Sequence, residues 1–178
     1  ALTHNRISEI WEDSLNFLWI KTYEGYFHYF IPDREDFISF PNYNRSPEEK
    51  NSFIQCFHQP SKNEIWMGSS NSGVYHLRYD PSTRQYASFH FLSRGPSSIS
   101  NNTVNFVISD PVRNIWIGTN QGLNYLSKQE SDKEQPYFQH YHASYRFTCA
   151  ETTDSCVYFG THKNGLLLYD FRTKRLTS

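Results

Sequence analysis

The chain has 178 residues, a formal net charge of -1, and 37% hydrophobic and 17% aromatic residues. That length supports a real core, and the near-neutral balance excludes the basic footprint that nucleic-acid binding leaves. No apolar run is long enough to cross a bilayer and no basic-then-apolar leader opens the chain, so any export or anchoring signal is expected outside it.

From the N-terminus, "RISEIWED" alternates apolar and polar residues, as a strand with one buried face does. The turn residues "DSLN" follow, then "FLWIKTYEGYFHY", then a polar break and "FISF". The next stretch repeats the order: "SFIQCFHQ", a turn at "PSKN", "EIWMGSSNSGVYHL", the turn "DPSTRQ" and "YASFHF". A third round reads "TVNFVISD", "DPVRN", "NIWIGTNQGLNYL", the polar stretch "SKQESDKEQ" and "YFQHY". A fourth reads "YRFTCAET", "TTDS" and "CVYFGTHKNGLLLY", stopping soon after "RTKRLTS".

Trp19, Trp66, Trp116 and Tyr158 hold one position in these rounds, at a period of about 40–50 residues, which suits propeller blades. Four short strands per round in sequence order make an antiparallel meander. The expected fold class is therefore all-β, a β-propeller fragment of about four blades at residues 1–46, 47–97, 98–143 and 144–178, the last incomplete. The ring would continue beyond these blades. Gly25, Gly73, Gly122 and Gly165 end the second connection of each round, where a positive φ or a close strand approach is needed. Asn16, Asn63 and Asn114, just before the tryptophans, are expected to take left-handed backbone in the first connection. The tryptophans are expected to fill the space between blades.

The run "SDPVRNIWIGTNQGLNYL", with its three fainter copies, resembles the two-component regulator propeller repeat. Departures are Lys21 where the other copies have Gly68, Gly118 and Gly160, Ser69 for threonine, and Tyr158 for tryptophan. The resemblance implies a periplasmic sensor region of a hybrid two-component system of Bacteroides-type bacteria. It implies an inner-membrane parent with a histidine kinase, a receiver and a DNA-binding module, sensing oligosaccharides and regulating glycan-utilisation genes. Partners implied are an oligosaccharide, the neighbouring blades of the intact protein and a second copy in a homodimer, with the membrane met only through the parent.

Chemistry is sparse. The glycines lack the Lys-Ser/Thr and following helix of a phosphate loop, and no cofactor is expected. His140 and His142 sit two apart without a third ligand, so no metal is expected. Six residues separate Asp13 from Trp19 and Asp110 from Trp116, one more than a sialidase-type Asp-box has, and no nucleophile-base pair or split carboxylate pair stands out. No catalytic residue is assigned. A polysaccharide hydrolase or lyase propeller is one alternative, and a structural protein-interaction propeller is another. Cys149 and Cys156 flank a turn and are read as buried free thiols, with a disulfide across the turn as the alternative.

In a meander, the connection that ends in glycine shares an end with the crossover to the next blade. That end collects Tyr23, Glu24, Asn71, Asn120, Gln121, His162 and Lys163 with Asn44, Arg45 and Arg94. Amide, charged and aromatic groups together are what a sugar requires, so these are the expected ligand-binding residues.

Overall fold

The computed structural model describes residues 2, 4–31, 35–40 and 52–178. Strands β1 (Ile7–Glu12), β2 (Leu18–Thr22), β3 (Phe27–Ile31) and β4 (Asp36–Phe40) form the first sheet, and β5 (Ile54–Ser61), β6 (Glu64–Ser69), β7 (Val74–Asp80) and β8 (Gln85–Phe91) the second. The third sheet holds β9 (Val104–Ser109), β10 (Ile115–Thr119), β11 (Gly122–Leu126) and β12 (Gln139–Tyr141). The fourth holds β13 (Phe147–Thr152), β14 (Cys156–Thr161), β15 (Leu166–Asp170) and β16 (Arg175–Thr177). Each is an antiparallel meander in chain order, and the chain is a β-propeller segment of four blades. The fourth blade, expected to be incomplete, has its outer strand, cut to three residues.

First strands lie side by side from blade to blade, β5 against β9 and β9 against β13. The cores lie between sheets. One unites Trp19, Phe27 and Tyr29 of the first blade with Ile65, Met67 and Leu77 of the second. The next joins Trp66 to Val104, Ile115 and Ile117, and the third joins Trp116 to Phe147, Val157 and Phe159. Trp19, Trp66 and Trp116 are each fully buried against the following blade, so their role is packing. Truncating one to alanine costs about 3–5 kcal/mol. Tyr158, on the side of the fourth sheet that no further sheet of this chain covers, is 36% exposed.

The first turn of the blade is held by a buried carboxylate. Asp13 Oδ1 accepts the backbone N–H of Leu15 and Phe17 at 2.8 and 3.0 Å, and Asp110 Oδ1 those of Val112 and Asn114 at 3.1 and 2.9 Å. Positive φ falls three residues after the aspartate, at Asn16 (63°) and Arg113 (67°). Of the three asparagines expected there, Asn63 and Asn114 are not left-handed. Asn114 instead aligns with Phe17 and uses its side chain on Asp110.

The polar stretch after β11 is not all loop. Ser127 caps a single helical turn, α1 (Lys128–Ser131), by accepting the Glu130 N–H at 3.2 Å, and Ser131 is buried. Cys56, Cys149 and Cys156 are free thiols: Cys149 faces Gly160 across the ladder while Cys156 faces Asp170, so no disulfide joins them.

Candidate functional site

The second turn of blades two to four is built by the repeated hydroxyl and glycine, while in the first blade Thr22 Oγ1 accepts from Tyr26 N at 3.3 Å. Ser69 Oγ donates to Gly73 O at 2.9 Å, and Thr119 and Thr161 do the same to Gly122 O and Gly165 O, each at 2.8 Å. The glycines take φ of 81°, 68°, 108° and 74° in chain order, so their positive-φ role holds. Serine replaces threonine in the second copy without loss because only the hydroxyl is used.

These turns also bind the approach to the next blade. Gly73 N donates to Asn102 O at 2.9 Å and Gly122 N to Tyr145 O at 2.8 Å, while a Cβ on Gly25 would overlap Phe53. The glycine turns and the crossovers therefore share one end of the molecule. Two side-chain latches lie just inside: Gln55 Nε2 donates to Val104 O, and Asn105 Nδ2 to Phe147 O, both at 2.7 Å.

On that end, Tyr23 is 66% exposed and lies under the Arg6 guanidinium, 5.1 Å from the ring centroid, and Arg6 also reaches Glu24 at 3.8 Å. Asn120 Oδ1 accepts from Asn105 Nδ2 at 3.0 Å and Gln121 Oε1 from Asn101 Nδ2 at 3.1 Å. Asn71, His162 and Lys163 are exposed at the tips of their turns. No hydrogen bond joins candidates of different blades among the described residues. Arg94 lies apart, in a hollow of about 260 Å³ with Ser98, Glu134 and Phe138. Asn44 and Arg45 lie outside the described residues. Arg6, Asn101 and Asn105, which position the candidates, escape sequence reading because they sit in or before the first strand, where a lone polar residue looks like solvated strand face. Two acceptors on this end are unmet: Glu24 Oε2 and Ser72 Oγ are buried without a hydrogen-bond partner.

Lys21 has a structural cause. In the other blades glycine admits the neighbouring first strand, as Gly68 does for Cys56 and Val104. Lys21 instead pairs with Glu9 at 2.9 Å and borders a cavity of about 290 Å³ with Trp11, Phe27, Gln55 and Phe57. At the far edge of the second blade, Glu64 accepts from Trp66 Nε1 at 3.0 Å, with His76 Nε2 at 3.0 Å and Lys128 Nζ at 3.8 Å. Burial pushes the Glu64 carboxyl up, but the nearby His76 ring, the Trp66 hydrogen bond and the Lys128 charge outweigh it, leaving it at about 2. Burial pushes the Cys56 thiol up to about 12, which leaves it inert. Among the described residues no cluster of histidine, cysteine or carboxylates could hold a metal ion.

No family model matches the chain. Over 97 residues, 52% of the chain, it is 33% identical to histidine kinase P4 of Formosa agariphila, of which the match covers 7%. The fold is similar to the extracellular domain of a protein described as a hybrid two component system from B. thetaiotaomicron, with a TM-score of 0.66, 21% identity, 99% of this chain and 25% of that one. It is also similar to PorZ, a surface component of the type-IX secretion system of Porphyromonas gingivalis, with a TM-score of 0.62, 15% identity, 100% of this chain and 27% of that one. The chain thus spans about a quarter of either solved structure, and at these identities the likeness concerns the fold.

Proposed function

We propose that this chain is four blades of the extracytoplasmic, ligand-sensing propeller region of a hybrid two-component sensor histidine kinase, periplasmic and joined to the inner membrane through its parent. The observation that carries this reading is the 33% identity to a histidine kinase over 97 residues, on a fold shared with a hybrid two-component extracellular domain. The ligand is an oligosaccharide held at the glycine-turn end. Tyr23 offers a ring face, Glu24 an unmet buried acceptor, and Asn71, Asn120, Gln121, His162 and Lys163 further polar groups, and Asn44, Arg45 and Arg94 complete the proposed set. Binding favours one arrangement of a sensor homodimer, and that bias reaches the kinase and the genes for glycan use.

The second reading is a structural propeller that binds protein partners. Thermal melting of the intact sensor region against a panel of dietary and host glycans separates the two. A glycan present at one hundred times its Kd stabilises by about 2.7 kcal/mol, and the shift should shrink in Tyr23→Ala and Gln121→Ala. A full panel without any shift would overturn the sugar-sensing reading.

A further inference from the structure

The repeats allow one interblade contact to be compared with another. Between the first and second blades, Asp13 Oδ2 accepts from Trp19 Nε1 and from the Tyr86 phenol, each at 2.7 Å. Tyr86 comes from the outer strand of the second blade, with Phe17, Trp19, Tyr29 and Tyr79 packed around its ring at centroid distances of 5.5–5.9 Å.

Between the third and fourth blades the same frame recurs, with Asp110 for Asp13, Trp116 for Trp19 and Tyr125 for Tyr29. The phenol does not. Counted from the Trp66–His76 rung, the β7–β8 hairpin runs on through Tyr79–Tyr86 to Asp80–Gln85. Counted from the equivalent Tyr158–Leu168 rung, β15–β16 closes at Asp170–Arg175, level with Arg78–Ala87, so the two outermost rungs have no counterpart. Their place is a cavity of about 400 Å³ lined by Asp110, Asn114, Tyr125, Tyr169, Phe171 and Lys174.

Two polar atoms of this frame are less satisfied than their counterparts in the first blade. Trp116 is fully buried against Tyr125 and Tyr169, at 4.7 and 4.6 Å, and its Nε1 has no hydrogen-bond partner. Asp110 Oδ2 accepts one bond, from Asn114 Nδ2 at 2.7 Å, where Asp13 Oδ2 accepts two. A buried donor left unmet is costly enough that such sites are normally filled. We infer that this interblade cavity is a binding site for a small phenol, whose hydroxyl donates to Asp110 Oδ2 as Tyr86 does to Asp13. The ring meets Tyr125, Tyr169 and Phe171. This site stands at the opposite end of the blades from the glycine turns and is independent of the sugar reading.

The test is titration of the 178-residue chain with p-cresol, toluene and methyl glucoside, following the indole N–H resonances, with Trp116 assigned through Trp116→Phe. Saturable p-cresol binding that moves the Trp116 resonance is expected. Affinity should fall about tenfold for toluene and in Asp110→Asn, which keeps the turn acceptor but turns Oδ2 into a donor. Phe171→Trp, which narrows the chamber without touching the turn, should weaken p-cresol as well and serves if Asp110→Asn fails to fold. An unmoved Trp116 resonance, equal binding of toluene, binding of the glucoside there instead, or full affinity in Phe171→Trp would each overturn the assignment.

Discussion

Asp13 and Asp110 show how one residue type carries different loads at the same repeat position. Asp13 accepts two backbone N–H groups, the Trp19 indole and a phenol from the next blade, whereas Asp110 accepts two backbone N–H groups and its neighbour's amide. Asp13→Ala strands buried donors on two blades, so it should cost about 3–5 kcal/mol, and Asp110→Ala about 1–2 kcal/mol. Chemical denaturation of both variants checks the order, and equal losses would contradict it. The aspartates were legible in the sequence as turn residues. Their long-range partners were not, because Tyr86 lies in another blade and nothing local to Asp13 announces it. The left-handed positions show the same limit: alignment on the tryptophans put them on asparagines, but the chain counts from the aspartate and reaches Arg113.

At the level of the strand, the glycine two residues after the tryptophan position makes room for first-strand side chains, and at Gly68 these include one from the next blade. A Cβ on Gly68 would overlap Cys56 Sγ and Val104 Cγ1, both within the packed contact between β5 and β9. Gly68→Ala should therefore cost about 1–3 kcal/mol by overpacking. Lys21→Ala, at the same position of the first blade, loses the pair with the exposed Glu9 and a contact over the Phe27 ring, together worth about 0–1 kcal/mol. A melting comparison in which both variants behave alike would refute this account of the glycine. Alternation made the inner strands readable, since each has one face against a core. Three-residue β16 was too short to show any period, and the helical turn α1 was hidden because its anchor, Lys128 beside Glu64, is supplied by another blade.

For the whole molecule, burial sets the response to acid. His28, His58 and His76 all titrate below their ordinary value of 6.5, in each case first because burial disfavours the charged ring. The unfolded chain then binds protons near pH 6.5 that the folded chain refuses, so stability is full above that pH and falls as pH drops through it. Glu64, held at about 2, adds a contribution present above its ordinary 4.5 and lost as pH falls towards 2. The melting temperature should decline from pH 7 to 5 and again below 4.5, and a flat profile in scanning calorimetry would contradict the assignment. The repeat count, the meander and the packing role of the tryptophans were all evident from the sequence, since each is a local pattern written four times. Which candidates at the glycine-turn end sit near one another was not, because that depends on crossovers whose residues follow no period. The latches of that end have a direction. Gly73 and Gly122 each close onto a segment that the ribosome has yet to deliver when their own strands emerge, so a growing chain can complete a blade only after the start of its successor appears. Synthesis thus proceeds with the last turn always unsealed until the next blade begins.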